Sequence, residues 1–128
     1  MKTTIESKDK MRYPTAGDYY LDFLITRIEV FDQGNEDHNF LIALHELVEE
    51  YLTRKRGISE EDITAFDLQY EKNRDPEDTD SEPGDDLAAP YYREHRFAMI
   101  MEQLMAHELG VDWNSYDKNI KVYKEFNI

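Results

Sequence analysis

Phe40-Leu41-Ile42-Ala43-Leu44-His45-Glu46-Leu47-Val48-Glu49-Glu50-Tyr51-Leu52-Thr53-Arg54-Lys55 is the stretch from which the fold is read. Phe40, Leu44, Leu47, Val48 and Tyr51 recur at helical spacing and make a wide apolar face, with Leu41 and Leu52 at its margin. His45 and Glu49 stand one turn apart at that same margin, so both can close on one cation while Glu46 lies to their flank. A carboxylate half-buried among leucines is costly unless paired or metal-bound. Glu50 falls on the solvent side, within reach of Arg54. His45-Glu46-Leu47-Val48-Glu49 thus has the layout of a metal-hydrolase helix, with Glu49 replacing the second His of His-Glu-x-x-His.

Downstream, Arg54-Lys55-Arg56-Gly57 closes the helix with cations at its negative end and a glycine for the left-handed turn. Ser59 caps a second helix with acids at Glu60, Glu61 and Asp62, apolar positions at Ile63, Phe66 and Tyr70, and an end near Arg74. Residues 75–87 form an acidic loop, since seven of the twelve residues from Asp75 to Asp86 are acidic and Pro76, Pro83 and Gly84 interrupt them. Asp78, Asp80 and Glu82 alternate as calcium-loop ligands do, but Pro83 stands where a glycine is needed and Ala89 where a bidentate Glu is needed. Pro90 opens a third helix as its first residue, running to about Leu109 before Gly110. Phe97, Ala98, Met99, Ile100, Met101, Leu104 and Met105 make it apolar on several sides, which predicts burial against the first helix. Asp112 caps a last helix whose packing stripe is Trp113, Tyr116, Ile120 and Tyr123.

Upstream, residues 32–37 are a polar turn, and Asp37 or Asn39 caps the first helix. Tyr19 to Phe31 is aromatic and β-branched, with Ile28 and Val30 opposed to Arg27 and Glu29; this is strand periodicity, a hairpin turning near Asp22, with a helix over Asp18 to Val30 as the competing reading. Residues 12–18 carry Pro14 and Gly17 and read as a turn, and residues 1–11 are a flexible arm or an edge strand through Thr3-Thr4-Ile5. The expected fold is α+β: a short N-terminal antiparallel hairpin or small sheet on about four helices, a zincin-like helix pair at the centre, one domain over residues 1–128.

A net charge of −14 leaves no basic excess for binding nucleic acid through its phosphates. No apolar run has membrane-spanning length, and residues 1–8 lack the apolar core of a secretory signal, so a soluble, cytoplasmic protein is expected. Cysteine is absent, which confines a transition-metal site to His, Asp and Glu.

A third ligand beside His45 and Glu49 is best supplied by His95, on the other long apolar helix among small neighbours; Glu94 and Glu102 are the alternatives, as ligands or as groups behind them. Two His and one Glu form a catalytic zinc set, and Glu46 would be the base that takes the proton of the attacking water, implying hydrolysis of a peptide or other amide. The opposing reading is a buried polar cluster, hydrogen-bonded between two helices and binding nothing. His107-Glu108 repeats the dipeptide of the first helix, but Val111 stands at the second ligand position, and His107 reads as structural. Tyr91-Tyr92-Arg93-Glu94-His95 resembles an inverted His-x-x-Glu-His run with Tyr91 in place of its first His, and Tyr91 and Tyr92 read as packing residues.

The chain also resembles a group of small phage and bacterial proteins of unassigned activity. The shared run is Arg12-Tyr13-Pro14-Thr15 with Gly17-Asp18, His45 to Glu49, Gly57-Ile58-Ser59-Glu60-Glu61 with Phe66-Asp67, Pro83-Gly84-Asp85-Asp86, Pro90-Tyr91, Glu94-His95 and Leu109-Gly110-Val111-Asp112-Trp113. That resemblance implies a phage or prophage setting, in the host cell or associated with the virion, and no mechanism. At the level of the first helix alone the chain is similar to zincin metallopeptidases, which implies His45 as ligand and Glu46 as base, with Glu49 departing from the family's second His. The competing function is a non-enzymatic acidic accessory protein that occupies a basic protein partner or mimics nucleic acid.

Overall fold

The computed structural model describes residues 2–78 and 80–126, with side chains to residue 120. Its first strand, β1 (Lys2–Lys8), takes up most of the N-terminal arm as an edge strand. β2 (Gly17–Asp22) and β3 (Ile25–Phe31) form the expected antiparallel hairpin, with Phe23 and Leu24 at its tip and no helix over Asp18 to Val30. The sheet is mixed, in the order β1-β3-β2: Ile28 of the central strand pairs with Ile5 in parallel and with Tyr19 antiparallel. Alternation along β3 buries Thr26, Ile28 and Val30.

Four helices follow: α1 (Glu36–Lys55), α2 (Glu60–Lys72), α3 (Tyr92–Glu108) and α4 (Trp113–Phe126). The fold is therefore α+β, and α1 packs along α3. α1 begins earlier than expected because Asn35, rather than Asp37 or Asn39, is its cap: the Asn35 side chain accepts from the His38 amide at 3.1 Å. Asn39 instead ties down the preceding turn, accepting from the Gln33 amide and donating to Asp32. Ser59 and Asp112 cap as expected, accepting from the Asp62 and Ser115 amides. Gly57, at φ 71°, ends α1 in the left-handed conformation. Pro90 lies before α3 rather than at its first position, because Tyr91 takes the flanking place. Within the acidic loop, Pro83–Asp85 form a 3₁₀ turn against α3.

One apolar cluster joins Val30, Leu41, Ile42, Ala106 and Tyr116, with Trp113 and Ile120 against it; a second joins Ile63, Ala89 and Tyr91. Tyr123, expected in the same stripe as Tyr116, lies outside the residues whose side chains are described.

Two expectations about helix faces are corrected. The buried side of α1 carries Leu41, Ile42, His45, Glu49, Glu50 and Thr53, whereas Phe40, Leu47 and Tyr51 are exposed. Glu50 does pair with Arg54, at 2.7 Å, but from a buried position. On α3 the buried residues are Glu94, His95, Ala98, Glu102 and Ala106, and Phe97, Ile100 and Leu104 face outward at 42%, 53% and 62% exposure. The helix pair meets through polar groups and alanines: His45, Glu49, His95 and Glu102 bond to one another there, which offsets much of the cost of burying them.

Candidate metal centre

His45 and Glu49 project from α1 toward α3, where the small Ala98 and Ala106 let the helices approach and His95 and Glu102 meet them. A single oxygen, Glu49 Oε2, lies 2.9 Å from both His45 Nε2 and His95 Nδ1. The other, Oε1, accepts from the Tyr19 hydroxyl at 2.9 Å, so β2 also fixes this carboxylate. The two imidazole rings stand edge to face, 4.9 Å between centroids. All three residues are at least nine-tenths buried.

Each ligand candidate has a group behind it. Glu102 Oε1 is 2.7 Å from His45 Nδ1, and the Tyr116 hydroxyl donates to Glu102 Oε2 at 2.5 Å. This is the carboxylate-histidine pairing that sets the tautomer and ring angle of metal-binding histidines, leaving Nε2 as the ligand atom. His95 Nε2 is buried and lacks a hydrogen-bond partner among the described residues. Tetrahedral zinc with bonds of about 2.0–2.1 Å spaces its ligand atoms about 3.3 Å apart, a few tenths of an ångström beyond the two 2.9 Å contacts of Glu49 Oε2. His45, Glu49 and His95 each offer one ligand atom within 4.8 Å of the others.

The buried carboxylates around the two rings favour protons there, and a cation would compete for the same nitrogens. Burial opposes charge on His45, but Glu102 and Glu49 outweigh it and raise its pKa well above the usual range. His95 is likewise penalised by burial yet pushed up to about 12 by Asp85, Glu49 and Glu82. Glu49 is driven the other way: burial favours its neutral form, and the two rings overcome that and hold it ionised. Glu46 is raised well above the ordinary carboxylate range by burial and by the Glu49 charge, with His45 opposing. Its carboxyl lies against the backbone of β2 at Gly17, where a Cβ would stand 2.8 Å from Oε1; glycine is what lets strand and helix close there.

Of the two alternatives to His95, Glu102 takes its place behind His45, whereas Glu94 turns away and pairs with Arg56 at 2.8 Å. His107 is exposed. Tyr91 packs with Ile63 and Ala89 and donates to Asp67 at 2.6 Å. Four contributors are not evident in the sequence: Tyr19 and the Tyr116 hydroxyl, which strand and packing periodicity conceal, and Glu82 and Asp85, which meet His95 from the acidic loop.

Compared with protein-family models, curated proteins and solved structures, the chain matches none. Among the described residues, no helix is long and apolar enough to cross a membrane.

Proposed function

We propose that this protein binds a divalent metal, zinc by preference, through His45, Glu49 and His95, and that it is a metal-dependent hydrolase of peptide-like amides. The observation that carries the reading is one carboxylate oxygen, Glu49 Oε2, lying 2.9 Å from imidazole nitrogens of two different helices. Support comes from Glu102 and Tyr116 behind His45, the arrangement a ligand histidine needs. A cation held there would polarise a carbonyl and acidify water. Glu46, beside the cluster, would accept the proton of the attacking water and return it to the amine as the C–N bond breaks, giving an acid and an amine. A divalent charge nearby favours the ionised form that this role requires. A cytoplasmic phage or prophage setting belongs to the same proposal and rests on the resemblance to phage and bacterial proteins alone.

The deciding measurement is metal content of the purified protein by elemental analysis, beside His45→Ala. One equivalent of zinc in the wild type and little in the variant is expected; a wild type that is metal-free and takes up no equimolar zinc would end the proposal. Glu46→Gln should keep the metal and lose hydrolysis. A second reading, an acidic accessory protein for a basic partner, draws on the −14 charge and on Arg12, Arg27, Arg54, Arg56, Arg74 and Arg96 each facing a carboxylate.

A further inference from the structure

His95 has a second coordinating edge. Its Nε2 points away from Glu49 into a corner made by the 3₁₀ turn, 3.4 Å from Glu82 Oε2 and 3.4 Å from Asp85 Oδ1. His95 is 5% exposed, and this nitrogen is buried in ion-pair reach of both carboxylates without hydrogen-bond geometry to either. Buried ring nitrogens are rarely left so. Separations of about 3.0–3.4 Å are, however, those between neighbouring ligand atoms around one cation with bonds near 2.1 Å. Glu82, Asp85 and His95 each offer a ligand atom within 4.8 Å of the others.

The turn is built for this approach. Gly84 lies flat on the imidazole: a Cβ there would stand 2.5 Å from Cγ and 2.6 Å from Nδ1 of His95. Any side chain would force the ring and the turn apart, and with them His95 and the two carboxylates on either side of Gly84. Arg96, half exposed, reaches Asp85 Oδ1 at 3.2 Å and is the only side-chain cation other than His95 seen on this carboxylate among the described residues.

We propose that Glu82, Asp85 and His95 Nε2 form a second divalent-cation position, distinct in chemistry from the first. With two carboxylates and one imidazole it is richer in oxygen than the His45-Glu49-His95 set, which suits a harder cation such as Mn²⁺ over zinc. A neutral imidazole has one lone pair and one N–H. A cation on Nε2 leaves the proton on Nδ1, where Glu49 receives it; a cation on Nδ1 leaves it on Nε2, facing Glu82 and Asp85. The two positions are therefore alternatives, and His95 selects between them. The alternation rests on the proposed zinc site, whereas the outer position does not.

The test uses full-length protein stripped by chelator, titrated with Mn²⁺ in 0.1 M salt and followed by the electron paramagnetic resonance of free Mn²⁺. Zinc affinity is measured in parallel against a chelating dye. Glu82→Gln with Asp85→Asn should weaken Mn²⁺ binding at least tenfold and zinc binding less than threefold. Glu77→Gln with Asp80→Asn, equal in charge change and in the same acidic loop, should leave Mn²⁺ within threefold. His45→Ala should lose zinc and keep Mn²⁺, and zinc added to Mn²⁺-loaded wild type should displace it. Equal Mn²⁺ affinity in wild type and the Glu82/Asp85 variant, with circular dichroism showing both folded, overturns the outer position. Simultaneous binding of one zinc and one Mn²⁺ overturns the alternation. Zinc retained by His45→Ala overturns the inner site and leaves the outer one standing.

Discussion

Glu102 holds His45 from behind: its Oε1 sits 2.7 Å from Nδ1 while the other ring nitrogen faces Glu49. If this pairing orients a ligand, Glu102→Gln should weaken zinc binding about 10- to 100-fold, although Glu102 touches no metal. Tyr116→Phe removes only the hydroxyl that steadies Glu102 and should cost about tenfold or less, near the 1 kcal/mol of one hydrogen bond. Chelator competition on the two variants measures both, and equal zinc affinity in wild type and Glu102→Gln would show a purely structural role.

Protons and metal compete for the same nitrogens. Against the cost of burial, Asp85, Glu49 and Glu82 push His95 up from 6.5 to about 12, so its contribution to stability is full below about pH 6.5 and lost as pH rises through about 12. His45 acts in the same direction. The metal-free protein should thus lose stability from pH 7 to pH 10, by up to about 1.4 kcal/mol per pH unit from His95 with His45 adding in the same direction, and melt lower accordingly; zinc should flatten the trend because the bound form has already given up those protons. Thermal melts at three pH values with and without zinc check this. Calorimetry in two buffers of different ionisation enthalpy should register proton release on zinc binding.

Asp67 borders the cluster: it accepts from Tyr91, whose ring stands 6.1 Å from that of His95. Burial, opposed by the Tyr91 hydroxyl, raises the Asp67 pKa to about 6. A raised carboxyl pKa means that the fold loses stability as pH rises from 3.8 through about 6. Asp67→Asn, which can still accept from Tyr91, should therefore be more stable than wild type above pH 6, by about 1 kcal/mol once partial exposure is allowed for. The difference should vanish below about pH 4 in urea titrations.

Gly84→Ala tests the turn that covers His95. A Cβ at 2.5 Å from the ring must move either the imidazole or the backbone. A loss of about 1–3 kcal/mol in urea unfolding is expected. Gly110→Ala is the control: its Cβ would meet nothing within 4 Å, so any cost comes from its φ of 71° alone.

The helical period makes His45 and Glu49 legible as a pair, and the alanines around His95 and Glu102 mark a close crossing from the sequence alone. Which face of α1 is buried was not legible. Periodicity counts His and Glu as solvent-seeking, so it turned Phe40, Leu47 and Tyr51 inward; in the fold, the cluster satisfies its own charges and Leu41 and Ile42 form the core instead. Tyr19 reaches Glu49 across 30 positions, and the acidic loop reaches His95 through a 3₁₀ turn with no repeating pattern. Contacts of that kind come from chain topology, which local spacing does not encode.

Glu49 and His95 are 46 positions apart, and α2 and the acidic loop lie between them. In a chain with no cysteine, a cation bonded to both would be a cross-link that closes this segment into a ring. By the loop-entropy relation for disulfides, closing a ring of that size removes unfolded-state freedom worth about 4 kcal/mol. An ion bound there would therefore fasten α1 to α3 and tether everything between them, and its removal should show first as proteolytic cutting within residues 73–91.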